Sequence, residues 1–194
     1  MNIAAFDFDG TLTSVDTFIA FARFSVGDFA LAKALAYEIP ALIKWKTGRI
    51  TNGEYKQRVF SRLYRGMHEE DFNRYCLEFV GYIDGHLNAN GISELEKHQR
   101  ADDELCIVSA SIRNWIEPWA KSRDINTVIA TEIEVADGKL TGRFATPNCN
   151  GEEKPKRFLT VYPQRGEYHL DVYGDSRGDK PLMDIADRAA VIQR

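Results

Sequence analysis

The stretch that decides the fold is Ile3-Ala4-Ala5-Phe6-Asp7-Phe8-Asp9-Gly10-Thr11-Leu12-Thr13. A short apolar run ends in two acids and a glycine turn. A parallel α/β sheet presents a site in this way, because a buried strand delivers its polar residues at the carboxyl edge. Two further runs end alike. Leu105-Cys106-Ile107-Val108 leads into Ser109-Ala110-Ser111, and His169-Leu170-Asp171-Val172-Tyr173 leads into Gly174-Asp175-Ser176. The expectation is one α/β, Rossmann-like parallel sheet with its chemistry at one edge. Val128-Ile129-Ala130 reads as a further strand and Ala190-Val191-Ile192 as a last short one. Residues 132–144 read as a hairpin turning at Asp137-Gly138.

Ser109 follows Asp7 by 102 residues, whereas a βαβ crossover needs only about 30. One helix over 91–100 can return the chain to the sheet, so 14–88 is surplus, and it reads as helical. Leu31, Leu35, Ile39 and Leu42 fall at helical spacing, as do Tyr55, Val59 and Leu63. Phe72, Tyr75, Cys76, Phe79, Val80 and Ile83 make the clearest stripe, and most of these side chains are expected simply to pack in a core. Gly48, Asn52-Gly53 and Gly66 are expected to separate the helices. The expected division is a core of 1–13 plus 89–194, with 14–88 as a helical module placed to sit over the site.

The chain has 194 residues, 44% hydrophobic and 28% charged, with a net charge of −4. That is enough apolar side chain for a core, and it excludes disorder as the dominant state. The acidic balance argues against a nucleic-acid coat protein. Cys76, Cys106 and Cys149 are odd in number and contain no CxxC pair, which suits a reducing compartment and no disulfide framework. Asp7 and Asp9 stand where a signal peptide would need apolar residues. The most lipid-like run, 30–45, is interrupted by Lys33, Glu38, Pro40 and Lys44, so no membrane-spanning segment is expected. The reading is a soluble, cytoplasmic protein.

Asp7 and Asp9 stand two apart on an extended run, and the Gly10 turn has to bring both towards one substrate. A carboxylate is a competent nucleophile towards phosphorus, and a second acid can protonate a leaving oxygen. Acids gathered at one phosphate repel it, so hard Mg²⁺ with oxygen ligands is implied, with Asp175 and Asp179 completing the site. Ser109 either holds a phosphate oxygen with the Ala110 N–H or caps a helix. Lys154, ahead of Pro155, either neutralises phosphate or is a solvated surface lysine.

In this order, Asp7-Phe8-Asp9-Gly10-Thr11-Leu12-Thr13, Ile107-Val108-Ser109, Lys154 and Gly174-Asp175-Ser176-Arg177-Gly178-Asp179 resemble the four motifs of the haloacid dehalogenase-like hydrolases. The large insertion after the first motif resembles the type-1 cap. Val135-Ala136-Asp137-Gly138-Lys139-Leu140-Thr141-Gly142 resembles the hairpin of the phosphoserine-phosphatase-like subfamily IB. The resemblance implies that Asp7 attacks the phosphoryl group to give an aspartyl-phosphate. It implies that Asp9 protonates the leaving alcohol and then activates water. Mg²⁺ would be held by Asp7, the Asp9 backbone carbonyl and Asp175, with Asp179 as ligand or support, while Ser109 and Lys154 bind phosphoryl oxygens. Lys156 competes with Lys154 for that role. The family's dehalogenases lack a second motif-one aspartate, so Asp9 implies phosphate ester chemistry.

In phosphoserine phosphatases a Glu after motif one and a cap Arg contact the substrate. Asp16 falls at the first position and Arg58 near the second, although Asp16 can equally be a helix N-cap and Arg58 part of a solvated face with Arg62 and Arg65. Motif four reads GDSRGDKP rather than GDGxND, which weakens phosphoserine as the substrate. The expected partner is a small phosphorylated metabolite. The alternatives are a phosphotransferase using the same phosphoaspartate and a non-catalytic phosphoaspartate signalling module. No GxxxxGK[ST] run occurs to support a P-loop enzyme.

Overall fold

Alternation along β1 (Asn2–Phe6) decides which residue meets which layer. Ala4 and Phe6 join Leu105 and Ile107 of β2 (Glu104–Ile112) and Tyr173 of β6 (His169–Gly174) on one face of the sheet. Ile3 and Ala5 join Cys106, Val108, Leu170 and Val172 on the other. A parallel strand covered on both faces has to be apolar throughout, and these residues are all buried. The computed structural model describes residues 1–193. With β3 (Thr127–Thr131) and β7 (Arg188–Val191) the strands form a parallel sheet in the order β3-β2-β1-β6-β7. The fold is α/β, with a helical insertion directly after β1. The chain runs outward from β1 to β3 and then returns to β6 on the other flank of β1. That reversal opens a crevice at the carboxyl ends of β1, β2 and β6.

Leu95 of α6 (Ala89–Arg100) and Trp115, Ile116 and Trp119 of α7 (Arg113–Lys121) cover the Phe6 face. Phe158 of α8 (Glu153–Val161) and Leu182 of α9 (Lys180–Met183) cover the opposite one. The insertion comprises α1 (Thr17–Tyr37), α2 (Ile39–Lys46), α3 (Asn52–Tyr64), α4 (Glu69–Glu78) and α5 (Val80–Asp84). Its apolar faces close around Phe21, which meets Phe72 and Phe79 edge-on at 5.3 and 5.2 Å. Phe21 also stacks on Trp115 at 4.7 Å, so insertion and sheet layer share one apolar cluster.

The helical stripes of 55–63 and 72–83 point inward as expected, with Val59, Phe72, Cys76, Phe79 and Ile83 buried. The Leu31–Leu42 stripe does not survive as one face, because Ile39 is exposed. Buried Glu38, bonded to Arg62 Nε at 2.8 Å, ends α1, and Pro40 opens α2, so the phase changes between them. Asn52-Gly53 is not a break but the first turn of α3. Thr51 caps it, and its hydroxyl and the Glu54 carboxylate form a capping box. An unforeseen kink falls at Gly27, where φ is +84° inside α1. The expected hairpin pairs β4 (Ile133–Ala136) with β5 (Lys139–Phe144) and turns at Asp137-Gly138. It leans on α3, with Phe144 against Phe60 at 5.5 Å.

Candidate active site

Asp7 leaves β1 on the side that carries Ile3 and Ala5, the side covered by α8. Lys154 enters from the first turn of that helix. Pro155 beside it lacks an N–H, but a first turn has no intrahelical use for one. The Lys154 ammonium donates to Asp7 Oδ1 at 2.7 Å, the Val108 carbonyl at 2.7 Å and Asp179 Oδ1 at 2.5 Å. All its protons are thereby used, at 2% exposure. Burial works against its charge, yet Asp7 and Asp179 outweigh burial and hold its pKa above that of an ordinary lysine. Burial pushes the Asp7 carboxyl up to about 7, with Lys154 opposing and the charges of Asp179 and Asp9 adding to the rise.

Asp179 folds back under the loop after β6. Its Oδ2 accepts the Asp175 N–H at 3.2 Å, the Ser176 N–H at 2.9 Å and the Ser176 hydroxyl at 2.8 Å. A Cβ at residue 174 would lie 2.6 Å from the Asp179 Cβ and Cγ, so only glycine lets this carboxylate in. Asp7, Asp175 and Asp179 each bring a carboxylate oxygen within 4.8 Å of the others. An all-oxygen set of this negative charge fits a hard divalent cation such as Mg²⁺.

Asp9 is gripped separately. Its Oδ1 accepts the Thr17 N–H at 3.1 Å and the Thr17 hydroxyl at 2.5 Å, and its Oδ2 accepts the Ser111 hydroxyl at 2.5 Å. Trp115 Nε1 donates to Thr17 Oγ1 at 3.1 Å and fixes that hydroxyl in turn. Burial raises the Asp9 pKa and Asp16 adds to the rise, while Lys56 and the two hydroxyls oppose it. The loop carrying Asp9 is tied down by Asn88, whose Nδ2 donates to the Gly10 carbonyl at 3.0 Å. Helix α6 also presses on this loop, since a Cβ at Gly91 would sit 1.9 Å from the Thr11 carbonyl oxygen.

Ser109 is buried one step beyond the Val108 carbonyl that holds Lys154, with Ala110 half-buried after it. It is not a helix cap. Its hydroxyl accepts the Ser111 N–H at 3.1 Å where the pairing of β2 with β3 shifts, and α7 begins only at Arg113. Lys156 is surface-exposed beside Glu153, so Lys154 alone of the two lysines reaches Asp7. Asp16 caps α1, accepting the Ile19 N–H at 3.2 Å, yet its charge is felt at Asp9. Arg58 is not brought to the site. It lies on the exposed side of α3, in a groove with Glu38, Ser61, Arg62 and Arg65. Two residues earlier, Lys56 faces inward and joins Asp16, Phe18, Trp45 and Tyr55 in lining a mainly apolar cavity of about 170 Å³. Thr17, Ser111, Asn88 and Lys56 are the residues that sequence reasoning overlooked. The available signal was weak: a threonine after an N-cap, and a serine two places beyond Ser109.

The haloacid dehalogenase-like hydrolase family model matches residues 4–184. The chain is 28% identical over 204 residues to a histidinol-phosphatase of Neisseria meningitidis serogroup C, covering 98% of this chain and 90% of that protein. A solved structure of a protein of unknown function from Bordetella pertussis Tohama I matches with a TM-score of 0.81 at 23% identity, over 97% of this chain and 88% of that one. A substrate-bound phosphoserine phosphatase matches with a TM-score of 0.69 at 15% identity, over 98% of this chain and 85% of that one. At these identities the two structural likenesses speak to the fold.

Proposed function

Since the chain belongs to the haloacid dehalogenase-like hydrolases and is a phosphatase, we propose that it hydrolyses a small phosphate monoester through an aspartyl-phosphate on Asp7, with Mg²⁺ as cofactor. The observation that carries this reading is the placing of Asp7. A buried carboxylate at the carboxyl end of the central strand contacts Lys154 at 2.7 Å and shares a 4.8 Å cluster with Asp175 and Asp179. Asp7 would attack phosphorus as the bond to the leaving oxygen breaks. Asp9, its pKa raised by burial, would give that oxygen its proton. Asp9 would then take a proton from the water that attacks phosphorus, and the Asp7–phosphorus bond would break to release phosphate.

Asp7 and Asp175 would hold the cation together with the Asp9 backbone carbonyl, while Asp179, already engaged by Lys154 and Ser176, would support them. When bound, Mg²⁺ supplies neutralisation of the negative charge gathered around the phosphoryl group. Lys154, giving up its bond to Asp7 as that carboxylate takes phosphorus, would meet a phosphoryl oxygen, as would Ser109 and the Ala110 N–H. Asp16 and Lys56, which line the apolar cavity and whose charges are both felt at Asp9, would meet the leaving alcohol, and segment 14–88 would act as the cap over it. The chain's buried free thiols, Cys76, Cys106 and Cys149, suit a reducing compartment, the cytoplasm.

The test is release of inorganic phosphate from p-nitrophenyl phosphate, histidinol phosphate and phosphoserine with no added acceptor. Wild-type protein should release phosphate, Asp7→Asn should lose turnover by at least about a thousandfold while keeping its far-UV circular dichroism, and EDTA should silence the wild type until Mg²⁺ is restored. Turnover by Asp7→Asn, or turnover resistant to chelation, contradicts the reading. Release of p-nitrophenol without inorganic phosphate, and only when a second alcohol is supplied to take the phosphoryl group, points instead to a phosphotransferase.

A further inference from the structure

The lipid-like run of the sequence becomes the outer face of α1 and α2, and the reaction at Asp7 makes no use of it. Phe29 is 85% exposed, Tyr37 60%, Ile39 51% and Ile43 58%. Ala32, Ala36 and Pro40 are exposed between them. The inner face of the same helices, with Leu31, Ala34 and Ala41, is already buried. The pair is therefore apolar on both sides, and packing within the chain accounts for only one of them.

The charges along this face that have no ion-pair partner among the described residues have one sign. Lys33, Lys44, Lys46 and Arg49 are exposed. The acids of the same stretch are answered, Asp28 by Arg23 at 3.1 Å and buried Glu38 by Arg62 at 2.8 Å. This local excess of cations runs against a chain whose net charge is −4. Trp45, half-buried, carries the Lys46 ammonium 4.5 Å over its ring. Exposed Phe and Ile flanked by Tyr, Trp and lysines match the chemistry of a helix lying in the plane of an anionic lipid surface. No helix among the described residues is long and apolar enough to cross a membrane. A second copy of the chain would bring the same lysines to a two-fold contact, setting like charges against one another.

We propose that the α1–α2 face docks this protein peripherally on anionic phospholipid bilayers, with Phe29, Ile39 and Ile43 entering the headgroup boundary and the lysines meeting lipid phosphates. The same helices give Leu35 and Trp45 to the cavity lined by Asp16 and Lys56, so docking face and cavity share a wall.

The experiment is co-sedimentation of the full chain with vesicles of phosphatidylglycerol in phosphatidylcholine, and with phosphatidylcholine alone. Association with the anionic vesicles is expected, weakening as salt rises, with a roughly fivefold loss for each of Lys33→Ala and Lys44→Ala. The double variant Phe29→Ser with Ile43→Ser should lose association while keeping its circular dichroism, its melting temperature and its turnover of p-nitrophenyl phosphate. Absence of association with anionic vesicles overturns the proposal, as does association that the double variant leaves unchanged. So does light scattering that reports a dimer in the wild type and a monomer in the double variant, since a second copy would then cover the face.

Discussion

Asp9 is useful only if its carboxylate is held, and two hydroxyls and one amide do the holding. Ser111→Ala removes the hydroxyl that donates to Asp9 Oδ2. A hydrogen bond to a charged group is worth about 1.5–3 kcal/mol, so kcat should fall by about tenfold to a hundredfold with KM nearly unchanged. Steady-state kinetics on p-nitrophenyl phosphate check this, and an unchanged kcat would show that Ser111 does not position Asp9. At this scale the sequence was most legible where chemistry restricts residue type. Two aspartates before a glycine and a lysine before a first-turn proline each have commoner uses. It was their order along the chain with Ser109 and Asp175 that made them legible, and Asp7 and Lys154 do meet in the fold. Serines and threonines serve caps, turns and sites alike, so Thr17 and Ser111 could not be singled out. Of the two readings of Arg58, near the substrate or on a solvated face with Arg62 and Arg65, its placement fits the second, and the reason is phase. At about 100° per residue, two positions along α3 turn a side chain through about 200°, which carries Lys56 to the cavity and Arg58 to solvent.

Helix α6 acts as a buttress for the loop that follows β1. Its N-cap residue Asn88 holds the Gly10 carbonyl, and Gly91 lets the helix approach to where a methyl group would overlap the Thr11 oxygen. Gly91→Ala must therefore drive helix and loop apart. The expected cost is about 1–3 kcal/mol in urea unfolding, accompanied by a fall in kcat, because the displaced loop carries Asp9. Full stability and activity in this variant would mean that the contact is slack. The strands were legible because a parallel strand buried on both faces has to be apolar and its polar sequel has to lie at the edge. The helices of the insertion were legible as helices but not in their limits. Periodicity runs through Glu38, whereas the break lies where Pro40 opens α2 and where buried Glu38 meets Arg62, a long-range partner that no local pattern contains.

The whole molecule is organised around apolar material shared by insertion and sheet layer, and its cysteines report on this. Cys76 lies in α4, Cys106 in β2 and Cys149 before α8, and all are buried. Burial raises each thiol pKa, that of Cys149 to about 11. A disulfide-exchange dye at pH 8 should therefore leave the native protein unlabelled, and the three thiols should react together as guanidinium unfolds it. Labelling of Cys76 well before the others would show that the insertion opens by itself. The stack of Phe21 on Trp115 makes a further demand. Anyone who grafts the insertion of a relative onto this scaffold transplants part of the interior along with it, and a chimaera will fold only if its donor presents a flat ring of matching size to the indole it inherits.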